Sequence, residues 1–331
     1  MATTKIENLF VPELATTYTA LEATDKNAFF MSGVAYSDPA VTPLMDATGG
    51  GQLISMPFFN PIDDTEANIG SDDNTQKSTP EGITAAYETA VKTFQNKSYS
   101  VMDLAKLAAG ANPQVAINNG LNNYWIGQAE DRIIAAAKGI LADSVANHES
   151  DLLYDVTKAT EKNLTAIAMN NAAAYLGEYL DDIKVVCVHP TVFTNLRNQD
   201  FVNVKVPSDT RTLYSSYGDY MIIVDKNMPV EEGEDGKPVF YSFMFGANAF
   251  VFNYGNPGVE YEIDRDPASG NGAGEDLLYT RRCDLILPHG YQTAATKKTG
   301  LNQAALASAD TWTRVWDKRE LIKFVAVKSL G

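Results

Sequence analysis

The fold is decided by residues 112–147, which have the sequence NPQVAINNGLNNYWIGQAEDRIIAAAKGILADSVAN. Asn112 is a good helix cap, Pro113 suits the first helical position, and no further proline interrupts the stretch. Apolar residues recur at helical spacing at positions 115, 117, 121, 125, 133, 137, 141 and 145. These features predict one helix over 112–147, which is long for an ordinary domain.

The residues that precede this helix show little sign of a core of their own. In residues 1–50, apolar side chains such as Leu9 and Leu14 lie among Thr, Ala and Pro without a sustained period. Such a segment cannot bury itself well, so we predict an arm that packs against the body of its own chain or against another subunit.

Residues 51–98 are predicted to form a long hairpin-like excursion. Leu53–Phe59 is the candidate first strand and Ala90–Gln95 its candidate return. The segment between them is polar and acidic. A loop of this length is either solvated or functional, so it is interpreted as a solvated loop or as a projection that reaches a neighbour.

Around and beyond the long helix, shorter helices give way to strands, which indicates an α+β protein. The predicted helices are Val101–Ala109, an amphipathic segment from Leu164 to Tyr179, and Thr191–Gln199. The predicted strands are Ile183–Val188, Tyr220–Val224, Tyr241–Phe245, Phe250–Tyr254, Val259–Ile263, Leu277–Leu287 and a closing strand Leu321–Val327.

The charge balance restricts the partners of this chain. Lys and Arg number 26 against 42 Asp and Glu, a net charge of −16. Binding to nucleic-acid phosphates requires clustered cations, so this protein is not expected to wrap nucleic acid and would repel enclosed DNA. The sequence has no apolar run long enough to span a bilayer and begins with no signal-peptide pattern.

The residues that could carry chemistry form no convincing catalytic or metal-binding set. Cys187 and His189 lie two apart on a predicted strand, but no third group is available to orient the base. His189 and His289 each adjoin a proline, which favours a role in turns. Gly270–Gly274 precedes a strand pattern, whereas a dinucleotide loop precedes a helix. No enzyme activity, cofactor or metal is expected.

Two groups of residues are candidates for contacts between subunits. Arg281 and Arg282 are adjacent on a strand and therefore point to opposite faces. At least one should meet the sheet interior or an interface, paired to a carboxylate such as Glu275, Asp276 or an acid of another chain. An ordinary surface pair is equally open. Near the C-terminus, core packing and interface anchoring remain equally open for Trp312, Arg314 and Trp316.

Several motifs in order along the chain resemble the major capsid proteins of tailed bacteriophages. The motifs are Lys97–Leu107 running into Asn112-Pro113, then Gly274–Arg282, Leu287–Gly290 and Trp312–Asp317. Their order matches the family from about residue 50 to the end of the chain.

The resemblance implies an α+β Hong Kong 97-like capsid fold. It has an N-terminal arm, an extended β-hairpin loop, a peripheral domain with a long spine helix, and an axial domain with a central sheet. The implied ranges are 1–50 for the arm, 51–98 for the loop, 99–159 for the peripheral domain with spine helix 112–147, 160–300 for the axial domain and return strands, and 301–331 for a C-terminal peripheral-domain strand.

The resemblance also implies a non-enzymatic structural subunit that self-assembles into hexamers and pentamers of an icosahedral shell. The shell would be assembled in the host cytoplasm and would enclose double-stranded DNA without sequence-specific binding or a membrane. A separate scaffolding protein is expected because the N-terminus shows no heptads. A portal and a decoration protein are further expected partners. Candidate subunit-interface residues are Phe58, Phe59, Asp63, Asp64, Lys77, Trp125, Arg281, Arg282, Trp312, Arg314 and Trp316.

Two other functions remain open at this point. An encapsulin-type shell has the same fold but holds enzymes instead of DNA. A soluble α+β enzyme could use Glu275 and Asp276 beside Tyr279.

Overall fold

The structure is a computed structural model that describes most of the chain. The described residues are 28–45, 52–62, 66–70, 72–73, 75, 77–78, 80–109, 113–199, 203–205, 214–217, 220–233, 236–294 and 300–331. The α-helices are Ala28–Met31, Asp103–Ala109, Pro113–Asn147, Ala166–Ala173, Pro190–Asn198, Ser269–Gly272 and Gln303–Leu306. The 3-10 helices are Thr42–Met45, Ala174–Asp182, Ala309–Thr311 and Arg319–Leu321.

The strands form two larger sheets and two isolated pairs. They are Ala35–Tyr36, Leu53–Phe59, Ala85–Val91, Thr93–Met102, Leu153–Asp155, Ile183–Val188, Asn203–Lys205, Tyr214–Tyr217, Tyr220–Val224, Val230–Glu232, Pro238–Gly246, Phe250–Gly255, Tyr261–Asp266, Glu275–Pro288, Tyr291–Thr293, Trp312–Arg314 and Phe324–Ser329.

The predicted long helix is present as Pro113–Asn147, and Asn112 lies outside the described residues. Its second half is the more buried, with every residue of Ile133–Ala137 inside the core. Val145 departs from the predicted apolar stripe and is 51% exposed, because Asp143 and Ser144 face the interior at that turn.

The five-stranded sheet is organised around the long strand, Glu275–Pro288. One edge of the long strand pairs antiparallel with Tyr261–Asp266 and then with Phe250–Gly255. The other edge pairs with Thr93–Met102. Parallel pairing with Phe250–Gly255 adds the short strand Ala35–Tyr36.

The eight-stranded sheet has Pro238–Gly246 near its centre, and this strand is buried on both faces. Phe243 and Phe245 point to the core shared with the long helix, whereas Phe240 and Met244 point to a second core. The second core is covered by the helices Ala166–Ala173 and Pro190–Asn198. Because successive side chains point to opposite faces of the sheet, this one strand contributes to both cores.

The predicted closing strand Leu321–Val327 is present as Phe324–Ser329. It pairs antiparallel with Pro238–Gly246 inside the eight-stranded sheet, and the assignment of residues 301–331 to a peripheral domain stays a prediction. Its register also brings Leu153–Asp155 into the same sheet as a parallel neighbour. The strand is almost wholly apolar and buried, which suits a central position more than an edge.

The predicted return strand Ala90–Gln95 and the predicted helix Val101–Ala109 were both misplaced. The return is Ala85–Val91, and the chain changes sheets at the buried Lys92. The next strand then continues to Met102, so the helix begins at Asp103. Residues 101 and 102 pair with the long strand and do not join the helix, although their spacing fits a helical pattern.

The predicted amphipathic helix from Leu164 to Tyr179 is shorter than expected. The α-helix covers Ala166–Ala173, capped by the Thr165 side chain, and passes into the 3-10 segment Ala174–Asp182. Gly177 breaks the helical path with φ 55° and ψ −120°. A positive φ of this kind favours glycine, which explains the break.

The described part of the predicted arm, residues 28–45, packs on its own chain. Phe29 and Val34 are fully buried, and Val41 and Met45 are each 1% exposed. Of the two alternatives for the arm, packing on its own body therefore holds for these residues. The remaining apolar residues of the arm, including Leu9 and Leu14, lie outside the described residues.

Candidate functional site

The hairpin, formed by Leu53–Phe59 and Ala85–Val91, projects from the body of the subunit. Its strands pair antiparallel along their full length. At the end nearest the body, Ile54 and Ala90 are buried in a cluster with Leu285 of the long strand. The hairpin is therefore fixed at one end by ordinary core packing.

The hairpin tip, residues 60–84, exposes large apolar side chains. Ile62, Ile69 and Ile83 are 77%, 87% and 60% exposed, and Phe59 at the end of its strand is 71% exposed. Clustered exposed apolar groups are typical of surfaces that bind another molecule. The same segment carries the acids Asp63, Asp64, Glu66, Asp72, Asp73 and Glu81.

A groove of about 750 Å³ separates the outer part of the hairpin from residues 315–321. Phe58, Ile62 and Ile83 line it from the hairpin side, and Trp316 and Leu321 line it from the body. The outer hairpin is therefore not packed tightly on its own subunit, unlike the end that carries Ile54.

Glu88 ties the hairpin to the body with polar contacts. Its carboxylate is buried, accepts a hydrogen bond from the backbone N–H of Gly290 at 3.0 Å, and lies 3.8 Å from Nδ1 of His289. Nε2 of His289 lies 3.0 Å from the hydroxyl of Tyr36. One histidine therefore joins the hairpin, the described part of the arm and the turn after the long strand.

The ring of His289 lies nearly parallel to two aromatic rings. The ring centroid of Tyr36 is 5.7 Å away and that of Trp316 is 5.9 Å away. Phe58 of the hairpin meets Trp316 edge-on at 6.1 Å. These aromatic contacts lie next to the hydrogen bond that Glu88 accepts. Together, the polar and aromatic contacts fix the direction in which the hairpin leaves the body.

A buried ion pair connects the long helix to the long strand. Arg132 donates to Asp284 at 3.0 Å and to the carbonyl oxygen of Leu301 at 2.6 Å. Gln95 donates to the second carboxylate oxygen of Asp284 at 2.5 Å. Burial raises the pKa of Asp284 to about 6, and the nearby Arg132 only partly opposes that rise.

Replacing Arg132 with methionine is expected to destabilise the subunit by about 3 kcal/mol at about pH 7.5, because Asp284 keeps a buried charge without its partner. A carboxyl whose folded pKa exceeds its unfolded value binds more protons when folded, so the cost of its buried charge shrinks as pH falls below its folded pKa. That pKa is about 6 in the intact pair and higher once Arg132 no longer lowers it. Urea unfolding of R132M should therefore show a smaller loss at about pH 5 than at about pH 7.5.

The double variant R132M/D284L is the control for this pair. Two apolar side chains of similar volume should restore most of the lost stability, since neither charge remains buried. Equal losses for the single variant at both pH values, or a double variant as unstable as the single one, would contradict the assignment.

A second charged network lies at the other end of the long strand. Lys106 and Arg265 each bridge the carboxylates of Asp103 and Asp276. The hydrogen bond from Lys106 is the main cause of the lowered pKa of Asp276. The network attaches the helix Asp103–Ala109 to the sheet, and Glu275 beside it accepts from Ser269. Glu275 and Asp276 therefore have structural partners here.

Arg281 and Arg282 lie on opposite faces of the long strand, as predicted, but the predicted carboxylates are not their partners. Arg281 pairs with Glu262 of the neighbouring strand at 2.7 Å and not with Glu275 or Asp276. Glu262 faces Tyr279 in the strand register, so it shares the face of Arg281.

The three C-terminal candidates occupy different environments. Trp312 is 3% exposed, and its Nε1 donates to the carbonyl oxygen of Leu306 at 2.7 Å. Arg314 pairs with Asp151, and Trp316 stacks on His289. These contacts are the ones that core packing predicts, and whether any of the three residues also meets another subunit stays a prediction.

The remaining predicted interface residues differ in accessibility. Trp125 is 8% exposed within the subunit, so most of its surface is not free for a neighbour. Lys77 and Phe59 are exposed on the hairpin, and Phe58 is half-buried. Asp63 and Asp64 lie outside the described residues. Which of these residues meet another subunit stays a prediction.

The histidine and cysteine side chains have structural environments. His189 accepts a hydrogen bond from the N–H of Thr191 and so caps the helix Pro190–Asn198. Cys187 and Cys283 are unpaired thiols in buried positions. Within the described ranges, no three His, Cys, Asp or Glu side chains are placed to hold a metal ion. Of the helices described, none is long and apolar enough to cross a membrane.

Sequence reasoning missed Glu88 and the Arg132–Asp284 pair. A signal was present at Asp284, which interrupts the apolar run from Cys283 to Leu287. A lone acid inside a buried strand requires a counter-charge. Its partner lies 152 positions away in the sequence, however, and only the packing of helix on strand identifies it.

Two solved structures have a similar fold. The capsid of Ralstonia phage GP4 aligns with a TM-score of 0.62 at 12% identity, covering 96% of this chain and 95% of that one. The cyanophage Pam1 capsid aligns with a TM-score of 0.54 at 12% identity, covering 97% of each chain. This protein therefore has the Hong Kong 97-like α+β fold of phage capsids, as predicted.

The sequence is similar to one curated protein of that class. Over 323 residues it is 28% identical to the major capsid protein of Bacillus phage SPP1, and the alignment covers 97% of each protein. No protein-family model matches the chain. The resemblance to phage major capsid proteins is thereby confirmed.

Proposed function

We propose that this protein is the major capsid protein of a tailed phage, a structural subunit that assembles into a closed shell. The observation that carries the proposal is similarity to the SPP1 major capsid protein over 97% of both chains. The hairpin supports it independently, because a fixed end and an exposed apolar tip suit a contact between copies.

In finer detail, we propose hexamers and pentamers in an icosahedral virion shell around double-stranded DNA. The net charge of −16 favours a container that holds DNA without gripping it. The domain ranges predicted from the sequence belong to this proposal, as do assembly in the host cytoplasm and partnership with scaffolding, portal and decoration proteins. The subunit acts as a structural element without catalysis.

The test is to produce the full chain alone and together with a candidate scaffolding protein. Closed particles in electron micrographs, with subunit clusters of five and six, are the expected result. Only small species in sedimentation velocity under every condition would overturn the proposal. Particles that enclose enzymes in place of DNA would favour an encapsulin-type shell.

A further inference from the structure

The carboxylate of Glu88 is buried at the base of the hairpin and has little to balance its charge. Glu88 is 4% exposed, and its Oε1 accepts a hydrogen bond from the backbone N–H of Gly290. Among the described residues, no lysine or arginine forms an ion pair with Glu88, and the cationic partner that it has is His289. A buried carboxylate without a counter-charge is costly, so the charge on His289 determines how well Glu88 is accommodated.

The distance between the two side chains makes this contact sensitive to charge. Nδ1 of His289 lies 3.8 Å from Oε2 of Glu88, which is longer than a hydrogen bond between nitrogen and oxygen. A neutral imidazole therefore gains little from Glu88, whereas an imidazolium ion is attracted by its full charge. Because the carboxylate is buried, salt screens this attraction less than it would at the surface.

Tyr36 keeps its contact with His289 in either charge state. Its hydroxyl lies 3.0 Å from Nε2 of the imidazole. Burial, followed by the negative charges of Asp38 and Glu88, raises the pKa of Tyr36, so the hydroxyl retains its proton at neutral pH. The hydroxyl can donate to Nε2 of a neutral ring and accept from Nε2 of a protonated ring. Protonation of His289 therefore strengthens one contact without breaking the other.

The other groups near the imidazole do not take the place of His289 as a partner for Glu88. From the C-terminal segment, the uncharged ring of Trp316 lies 5.9 Å from that of His289. Beside Trp316, Asp317 and Lys318 carry opposite charges and line the groove. Asp38, on the far side of Tyr36, is a further acid. Among the described residues that contact the ring of His289, the titratable groups are therefore a carboxylate and a phenol.

We propose that His289 is a pH-sensitive clasp for the hairpin, the clasp being the ion pair between His289 and Glu88. When His289 is protonated, the clasp holds the base of the hairpin on the body of the subunit. When His289 is neutral, the charge of Glu88 is better accommodated in water, so the base detaches more often.

The pH range of the clasp follows from the two side chains that form it. A free histidine loses its proton at about pH 6.5 and a free glutamic acid at about pH 4.3, so both charges are present between these values. The clasp is therefore tighter at about pH 5.5 than at about pH 8, where the imidazole is neutral.

The clasp acts on the direction of the hairpin. The outer hairpin is separated from the body by the groove beside Trp316, so the tight contacts lie at the base. Apart from Glu88, the base is held by packing of Ile54 and Ala90 in the cluster with Leu285. Loosening at Glu88 therefore lets the hairpin swing while the rest of the subunit stays folded. The clasp belongs to the single subunit and does not depend on the proposed shell.

Hydrogen exchange on full-length chains that sediment as monomers tests the clasp. Protection factors for the amides of Ala85–Val91 correct for the pH dependence of intrinsic exchange, so they report opening of the hairpin base. Protection in the parent should fall by about fivefold or more between about pH 5.5 and about pH 8. H289Q and E88Q should each change by less than about twofold, because neither retains both charges. Glutamine at position 88 still offers an oxygen to the N–H of Gly290.

H148Q is the matched control for removal of a histidine. His148 also faces a buried carboxylate, since its Nε2 lies 3.4 Å from Oδ2 of Asp143. It follows directly after the long helix, however, and not at the hairpin. H148Q should therefore show the same fall in hairpin protection as the parent.

Distances between spin labels provide a second measurement. Cysteines introduced by I83C and D317C would lie on opposite sides of the groove, and both native cysteines are buried. The spread of distances between the two labels should widen by about twofold or more from about pH 5.5 to about pH 8. The same labels in an E88Q chain should show no change with pH.

Three results would overturn the clasp. They are equal hairpin protection at both pH values in the parent, a pH response that survives in H289Q, and loss of the response in H148Q. None of these measurements requires shells to form, so the clasp and the proposed function are tested separately.

Discussion

Replacing Gly139 with alanine is expected to destabilise the folded subunit by about 3–5 kcal/mol, although alanine is the better helix former. Gly139 lies in the long helix where the segment from Leu306 to Trp312 crosses it. A Cβ atom at this position would lie 2.0 Å from the carbonyl oxygen of Leu306 and 2.3 Å from Nε1 of Trp312. Neither atom can move away cheaply, because one is backbone and the other belongs to a buried ring.

The same contact contains a hydrogen bond that the new methyl group would displace. Trp312 donates through Nε1 to the carbonyl oxygen of Leu306 at 2.7 Å, and both groups are buried. Separating the helix from this segment therefore adds an unsatisfied donor and lost packing to the steric cost. The free energy of unfolding from urea titration measures the total.

Gly120 in the same helix is the matched control. A Cβ atom there would have no neighbour within 4 Å. G120A should therefore stabilise the subunit by up to about 1 kcal/mol through helix propensity alone. If both alanine variants shifted stability in the same direction, close packing at Gly139 would not be the reason for glycine there.

The long helix and the buried strands could be predicted from sequence because their signals are local. Helical spacing without an internal proline identified Pro113–Asn147, and the apolar run identified Ile183–Val188. Tyr220–Val224 was also predicted with its observed bounds. In each case, propensity and periodicity agree with the burial that the fold provides.

The misplaced elements depend on contacts that no local pattern contains. The chain leaves one sheet and enters another at Lys92, but the sequence on either side of Lys92 is compatible with a single strand. The sequence therefore does not indicate the change of sheets. The central position of Phe324–Ser329 follows from pairing with a strand some eighty residues earlier in the chain. Residue propensity can predict that a segment is a strand, but only tertiary pairing determines which strands lie next to it.

The candidate site divides in the same way. A polar and acidic hairpin tip was predictable because composition alone distinguishes residues 60–84 from a core segment, whereas the exposure of its isoleucines was not predicted. The partner of Arg281 was not, since Glu262 is selected by strand register and two nearer acids were equally plausible in sequence. Register depends on the whole sheet and not on the spacing of charges along one strand.

Removal of the hairpin tip is expected to abolish shell formation while leaving the subunit folded. Asn60 and Thr84 face each other across the hairpin, joined by a backbone hydrogen bond of 2.9 Å and a side-chain bond of 2.9 Å. Residues 61–83 can therefore be replaced by Asn-Gly, which closes a two-residue hairpin turn. The exposed tip contributes little to the core, so unfolding free energy should change by less than about 1 kcal/mol.

Assembly should respond very differently, because the deletion removes the exposed isoleucines of the tip, which we propose contact another copy. A fall in shell yield of about a hundredfold or more is expected by sedimentation and electron microscopy, with the monomer unfolding as before. A variant in which a Gly-Ser segment of equal length replaces residues 61–83 keeps the length of the hairpin but lacks its side chains. This variant should also fail to form shells. Efficient shells from the truncated chain would show that contacts elsewhere on the subunit suffice for closure, and the hairpin would then lose the role given to it here.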